Sequence, residues 1–263
     1  MKEGNQEMNF FDHLEELRSR IIKSVIAVLV MAVVIFIYQE WIMDNIFLIM
    51  KEPDFVSYRL LCQYFNMCID SIPVEMHSNS VGGQFAYSML MSFVGAIVIT
   101  FPFIFYQLWS FVSPGLKKNE ILAVKGIVFY VSILFFLGIL FGYFVVAPLS
   151  IQFFGTYKIS KEIINFFTIS SYMSTIISTV FYTGIFFLLP VLLYISAKIG
   201  IITPAFLRKH RRHAIVAVLI LSAIITPPDV ISQVIVAVPI LLLYEVGVWV
   251  VAKVERDSLK EQE

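Results

Sequence analysis

Long apolar runs separated by short polar stretches dominate this chain, and their lengths point to its class. A helix needs about 20 predominantly apolar residues to cross a hydrocarbon core of about 30 Å. On that scale the runs predict about six spans, at Ser24–Tyr38, Gln84–Leu108, Ile121–Ala147, Tyr172–Lys198, His213–Thr226 and Val230–Ala252. Ahead of the first, Phe10, Leu14, Leu17 and Ile21 recur at i, i+3 and i+4 spacing. That is the pattern of an amphipathic helix lying on the membrane surface, here over residues 1–23. No internal repeat interrupts the series, so residues 1–263 read as one all-α membrane domain. The last two spans are short. Between Arg212 and Pro227 lie 14 residues, about 21 Å of helix, and Val230 to Tyr244 supplies about 22 Å before Glu245 intervenes. Either the bilayer thins there or neighbouring helices shield the ends. Glu245 either ends the apolar run, or it snorkels or pairs and the span continues to Ala252.

Positive charge sets the expected orientation. Of the 19 Lys and Arg residues, all but Lys51, Arg59, Lys158 and Lys161 fall in one alternate set of connecting segments. With an even number of spans, that excess puts both termini on the cytoplasmic side, residues 253–263 forming a cytoplasmic tail. The loop 39–83 is then extracytoplasmic. Its Trp41 suits an interfacial anchor, and Pro53, Pro73 and its mixed apolar content predict short interfacial helices forming a cap. Cys62 and Cys68 both lie in this loop, where a disulfide and two free thiols are equally open. Pro102, Pro190 and Pro239 predict kinks that shape a concave scaffold instead of a straight bundle.

Composition narrows the function classes. The chain is 59% hydrophobic and 14% charged, with mean hydropathy +0.85, against roughly 25% charged residues in a soluble domain. A formal net charge of zero offers no footing for nucleic acid. The polar start Met1 to Lys23 does not read as a cleavable signal peptide. Neither a Gly-rich phosphate loop, nor a His pair at metal spacing, nor a Ser-His-Asp set is present, so no enzyme, cofactor or metal is expected.

Three segments carry more information. The first is His13-Leu14-x-Glu16-Leu17-Arg18-x-Arg20, in the amphipathic stretch. The second is Tyr106-Gln107-x-Trp109-x-Phe111-x-x-Pro114-x-Leu116, where an aromatic-rich span end turns at Pro114-Gly115 into a charged hairpin reaching Glu120. The third is Thr226-Pro227-Pro228-Asp229-x-x-Ser232-Gln233, a tight turn in which two prolines stop one helix and Asp229 can cap the next. In this order, each at the end of a different span, the three resemble the TatC family, the multispanning subunit of the twin-arginine protein translocase. The resemblance implies a role in the cell inner membrane, as a receptor for twin-arginine signal peptides of folded precursors. It further implies that single-span TatA/TatB-type subunits gather on the protein, that the protein self-associates, and that the proton-motive force drives export. Position by position, it implies signal-peptide binding at Glu16, Arg18, Phe111, Pro114, Leu116 and Glu120, and an acidic extracytoplasmic turn at Asp229. The chemistry is consistent: an arginine pair needs carboxylates that can be bridged bidentately, and the aromatic stretch Phe101 to Phe111 can hold the apolar part of a signal.

The chain departs from the family at Leu188, where a polar or acidic residue is usual two positions before a proline, here Pro190. Partner contacts are expected at Ser174, Thr175, Ser178, Leu188 and Gln233. The polar stripe Ser171, Ser174, Thr175, Ser178, Thr179 and Tyr182 serves either as helix–helix hydrogen-bond glue or as a partly wet face replacing the missing acid. Gly138-x-x-x-Gly142 reads as a packing motif without further function. The competing class is a secondary transporter for a small solute. Such proteins place ionisable groups near mid-membrane, whereas here the first four spans are almost free of charge.

Overall fold

The run from Phe10 to Ile37 contains neither proline nor glycine, so nothing breaks a helix once it starts. In the computed structural model of the protein, which describes residues 10–65, 75–113, 126–158, 160, 166–225 and 230–260, this run is one helix, α1 (Phe10–Ile37). The amphipathic segment expected to lie ahead of the first span is therefore continuous with it. A short helix α2 (Gln39–Ile42) and a wound stretch through Lys51 lead to α3 (Val56–Phe65). The second long helix, α4 (Gly83–Val112), runs through Pro102.

The next span is built in pieces. Helix α5 (Ile127–Phe141) passes through a widened π turn, Gly142–Val146, into α6 (Ala147–Thr156). Pro148 stands in the first turn of α6, where its missing N–H costs least. Helix α7 (Ile169–Phe186) stops two residues before α8 (Leu189–Lys198), with Pro190 in the first turn of α8. The expected kink at Pro190 is thus a break. Helices α9 (Pro204–Lys209), α10 (Arg211–Ile225) and α11 (Val230–Lys260) complete the chain. Among the described residues, five helical stretches are long and apolar enough to cross a membrane, and α10, 15 residues long, is shorter than these.

Glycine sets a close helix crossing. A Cβ on Gly138 would stand 2.8 Å from the Cα of Gly184, and one on Gly142 would stand 2.9 Å from the Cα of Val180. Helices α5 and α7 meet backbone to backbone there, as the small-residue spacing predicts.

The stretch from Gln39 to Phe65 packs on the bundle as a cap. Phe47, Met50, Phe55 and Tyr58 are buried against Met91, Ala147, Ile151, Tyr172 and Ile176. Three tyrosines stitch cap to bundle through carbonyl oxygens: Tyr58 to Pro148 (2.9 Å), Tyr143 to Ile46 (2.8 Å) and Tyr172 to Phe47 (2.6 Å). The Ser57 hydroxyl donates to the carbonyl of Phe144. Burial pushes the Tyr58 phenol above its ordinary pKa, so it remains a donor. Strands β1 (Glu75–His77) and β2 (Phe166–Thr168) pair in parallel, Met76 opposite Phe167, and tie the segment ahead of α4 to the entry of α7. Cys62 is disulfide-bonded; Cys68 lies outside the described residues.

Candidate functional site

At the opposite end from the cap, the start of α1 meets the finish of α4. His13 stacks on Phe111 with ring centroids 4.3 Å apart and planes 16° from parallel. Two turns further along α1, Arg20 donates through Nε (2.9 Å) and Nη2 to the same oxygen, Oε1, of Glu16. Its Nη1 reaches the amide oxygen of Gln107 at 3.4 Å. The Glu16 and Arg20 side chains are only 26% and 24% exposed, and Gln107 is buried. A polar network of carboxylate, guanidinium and amide therefore sits in the crossing of two apolar helices. Below it the contact is apolar, with Val28 and Ile35 of α1 against Ala96 of α4. The other side of α1 is open: Val25, Ile26, Leu29, Val30, Val33 and Ile37 are all exposed.

The aromatic stretch of α4 divides between two faces. Phe101, Phe105 and Trp109 stack in succession and pack against Ile127 and Val131 of α5 together with Leu188, Val191 and Tyr194. Phe103 and Tyr106 point outward and are exposed. A surface for an apolar ligand is thus reduced to the second set. A second ion pair stands at this same end, where Arg211 Nη2 lies 2.7 Å from Glu245 Oε2 with both side chains half-exposed. Beside it the Tyr244 hydroxyl donates to the carbonyl of Leu207 (2.8 Å). Glu245 is therefore paired and α11 continues past it, the second of the two outcomes the sequence allowed.

The predicted site residues fall in several places. Glu16 and Phe111 lie at the α1–α4 crossing, with Glu16 engaged, whereas Arg18 is exposed on α1. Pro114, Leu116, Glu120 and Asp229 lie outside the described residues. Ser174, Thr175 and Ser178 occupy the less buried face of α7, with Ser178 donating back to the carbonyl of Ser174 (2.6 Å). Thr179 and Thr183, on the buried side, belong to the core. Leu188 packs within the Phe101–Trp109 cluster, and Gln233 donates to the carbonyl of Leu219 (2.9 Å), bracing α10 on α11. Sequence reasoning gave no role to Arg20, Gln107 or Arg211. The i, i+4 spacing of Glu16 and Arg20 could have flagged the first pair. A lone glutamine inside an aromatic span end was the other available signal.

Comparison with known proteins agrees with this architecture. The family model for the Sec-independent protein translocase protein (TatC) matches residues 12–239. Similar proteins include the Sec-independent protein translocase protein TatC of Blattabacterium sp. subsp. Periplaneta americana, 35% identical over 95% of this chain and 97% of that protein. The protein of that name from Campylobacter jejuni is 36% identical over 92% and 93%. Two crystal structures of a twin arginine translocase receptor, TatC, superpose with TM-scores of 0.71 and 0.72 at 33% and 32% identity, covering 90% and 92% of this chain and 98% and 99% of theirs. Sequence, fold and helix order agree over nearly the full length: the chain belongs to the TatC family of Sec-independent protein translocase proteins, multi-pass components of the inner membrane.

Proposed function

We propose that the protein is the receptor subunit of the translocase, binding twin-arginine signal peptides of folded precursors at the end where α1 starts and α4 finishes. That end faces the cytoplasm, as the Lys and Arg distribution requires, and the tyrosine-stitched cap faces outward. The observation that carries the reading is the α1–α4 crossing: His13 on Phe111, and Glu16 and Gln107 converging on one guanidinium. A half-buried carboxylate beside an amide oxygen is a seat for a planar, permanently charged fork. Glu120, which follows α4 in the sequence, supplies a second carboxylate for the second arginine. Exposed Phe103 and Tyr106 take the apolar stretch of the signal.

Single-span TatA/TatB-type partners gather on the lateral faces, where the hydroxyls of Ser174, Thr175 and Ser178 offer polar contacts in place of the acid absent at Leu188. The proton-motive force drives the export step. A solute-transporter reading gains no support from the Glu16–Arg20 and Arg211–Glu245 pairs, which stand at one end of the helices.

The test is binding of a fluorescent twin-arginine peptide to detergent-purified protein. Tight binding to the wild type is expected, lost in Glu16→Ala, in Glu120→Ala, and when the peptide's two arginines become lysines. Binding indifferent to the arginine pair overturns the receptor reading.

A further inference from the structure

The carboxylate assigned above to the signal's arginine already holds a guanidinium of this same chain. Arg20 spends two donors on Glu16 Oε1 and a third on Gln107 Oε1. This side chain satisfies the seat much as an incoming arginine would, by a fork of N–H groups against a carboxylate and a neutral oxygen. We infer that Arg20 is an internal occupant of the signal-arginine seat, and that a signal peptide binds by displacing it. The inference rests on the receptor reading and adds to it a residue that sets affinity.

Physical considerations make displacement workable. Glu16 and Arg20 are one helical turn apart and about a quarter exposed. Ion pairs of this kind are weak, so the occupant keeps the carboxylate compensated in the empty receptor without locking it. Once displaced, Arg20 can swing to water on its long stem, leaving Glu16 to the ligand. An internal competitor reduces apparent affinity by the fraction of time the seat is open. That factor is the same for every ligand that uses the seat, so Arg20 should weaken all such peptides equally and leave their ranking unchanged.

The experiment measures Kd in detergent for two peptides, one with the arginine pair and one with a single arginine changed to lysine. The proteins are the wild type, Arg20→Gln, Glu16→Gln, the double variant, and Lys23→Gln, which removes a nearby exposed cation outside the seat. Arg20→Gln is expected to tighten both peptides by one common factor, up to about fivefold. Glu16→Gln is expected to bind neither peptide measurably, adding Arg20→Gln to it should not restore binding, and any gain in Lys23→Gln should be smaller than that of Arg20→Gln. Should Arg20→Gln fail to fold, Arg20→Lys serves, because an ammonium lacks the fork that reaches two acceptors and a smaller common gain is expected. Unchanged or weaker binding by a folded Arg20 variant overturns the inference, as does a gain that persists without Glu16. Those outcomes leave the receptor reading standing, whereas a wild type that binds no twin-arginine peptide removes both.

Discussion

The two ends of this molecule are built on opposite principles. At the cap end, Met50, Phe55 and Tyr58 are at most 4% exposed, and tyrosine hydroxyls from cap and bundle reach across to main-chain oxygens. At the other end, α1 rests on α4 by an apolar seam, the His13–Phe111 stack and a 3.4 Å hydrogen bond from Arg20 to Gln107, beside a weak, partly exposed ion pair within α1. Dense packing with satisfied polar groups permits a single arrangement, whereas an exposed pair can be exchanged for another partner at small cost. The proposed receptor role needs both: a fixed end that keeps the helices in register, and an end whose contacts a ligand can replace.

Substitutions can break or sharpen this contrast. Phe55→Ala, which empties a buried site ringed by Tyr58, Tyr143 and Phe144, should cost about 4 kcal/mol, seen as a large fall in thermal midpoint in detergent. Removing only the Tyr58 hydroxyl, as Phe, leaves the Pro148 carbonyl without this donor and should cost about 1 kcal/mol by the same assay. At the other end, Glu16→Ala should lower stability by less than about 1 kcal/mol while abolishing signal-peptide binding. A midpoint loss there as large as that of Phe55→Ala would erase the contrast. Smallest of all, Thr175→Ala with Ser178→Ala should leave the midpoint within about 0.5 kcal/mol of wild type, because the Ser178 hydroxyl bonds only within its own helix. If the hydroxyl face contacts partners, precursor transport should nonetheless fall; full transport by a stable double variant would leave that face as lipid-facing surface.

Several structural features could be read in advance because they depend on local rules. The span over Gln84–Leu108 appears as α4 (Gly83–Val112), and the Gly138-x-x-x-Gly142 spacing marks a true close crossing. Others were hidden because they depend on distant neighbours. The third span was expected to end at Ala147, before Pro148, yet the helix continues to Thr156 because a π turn precedes the proline and rearranges the backbone bonding there. The aromatic stretch looked uniform in sequence, but only its Phe103 and Tyr106 remain available. Which aromatic faces outward was decided by the approach of α5 and α8.

By itself, then, the sequence determined the class, the presence of several long membrane helices and the family. Each follows from composition, period and motif order, properties of the chain that survive any arrangement in space. Only the tertiary structure decided that Arg20 is shared between Glu16 and Gln107, that Glu245 is held by Arg211, and that Leu188 is packed among aromatics. Arg20 and Gln107 stand 87 residues apart, and no local rule of spacing links such a pair; only the packing of α1 on α4 brings them within hydrogen-bonding reach.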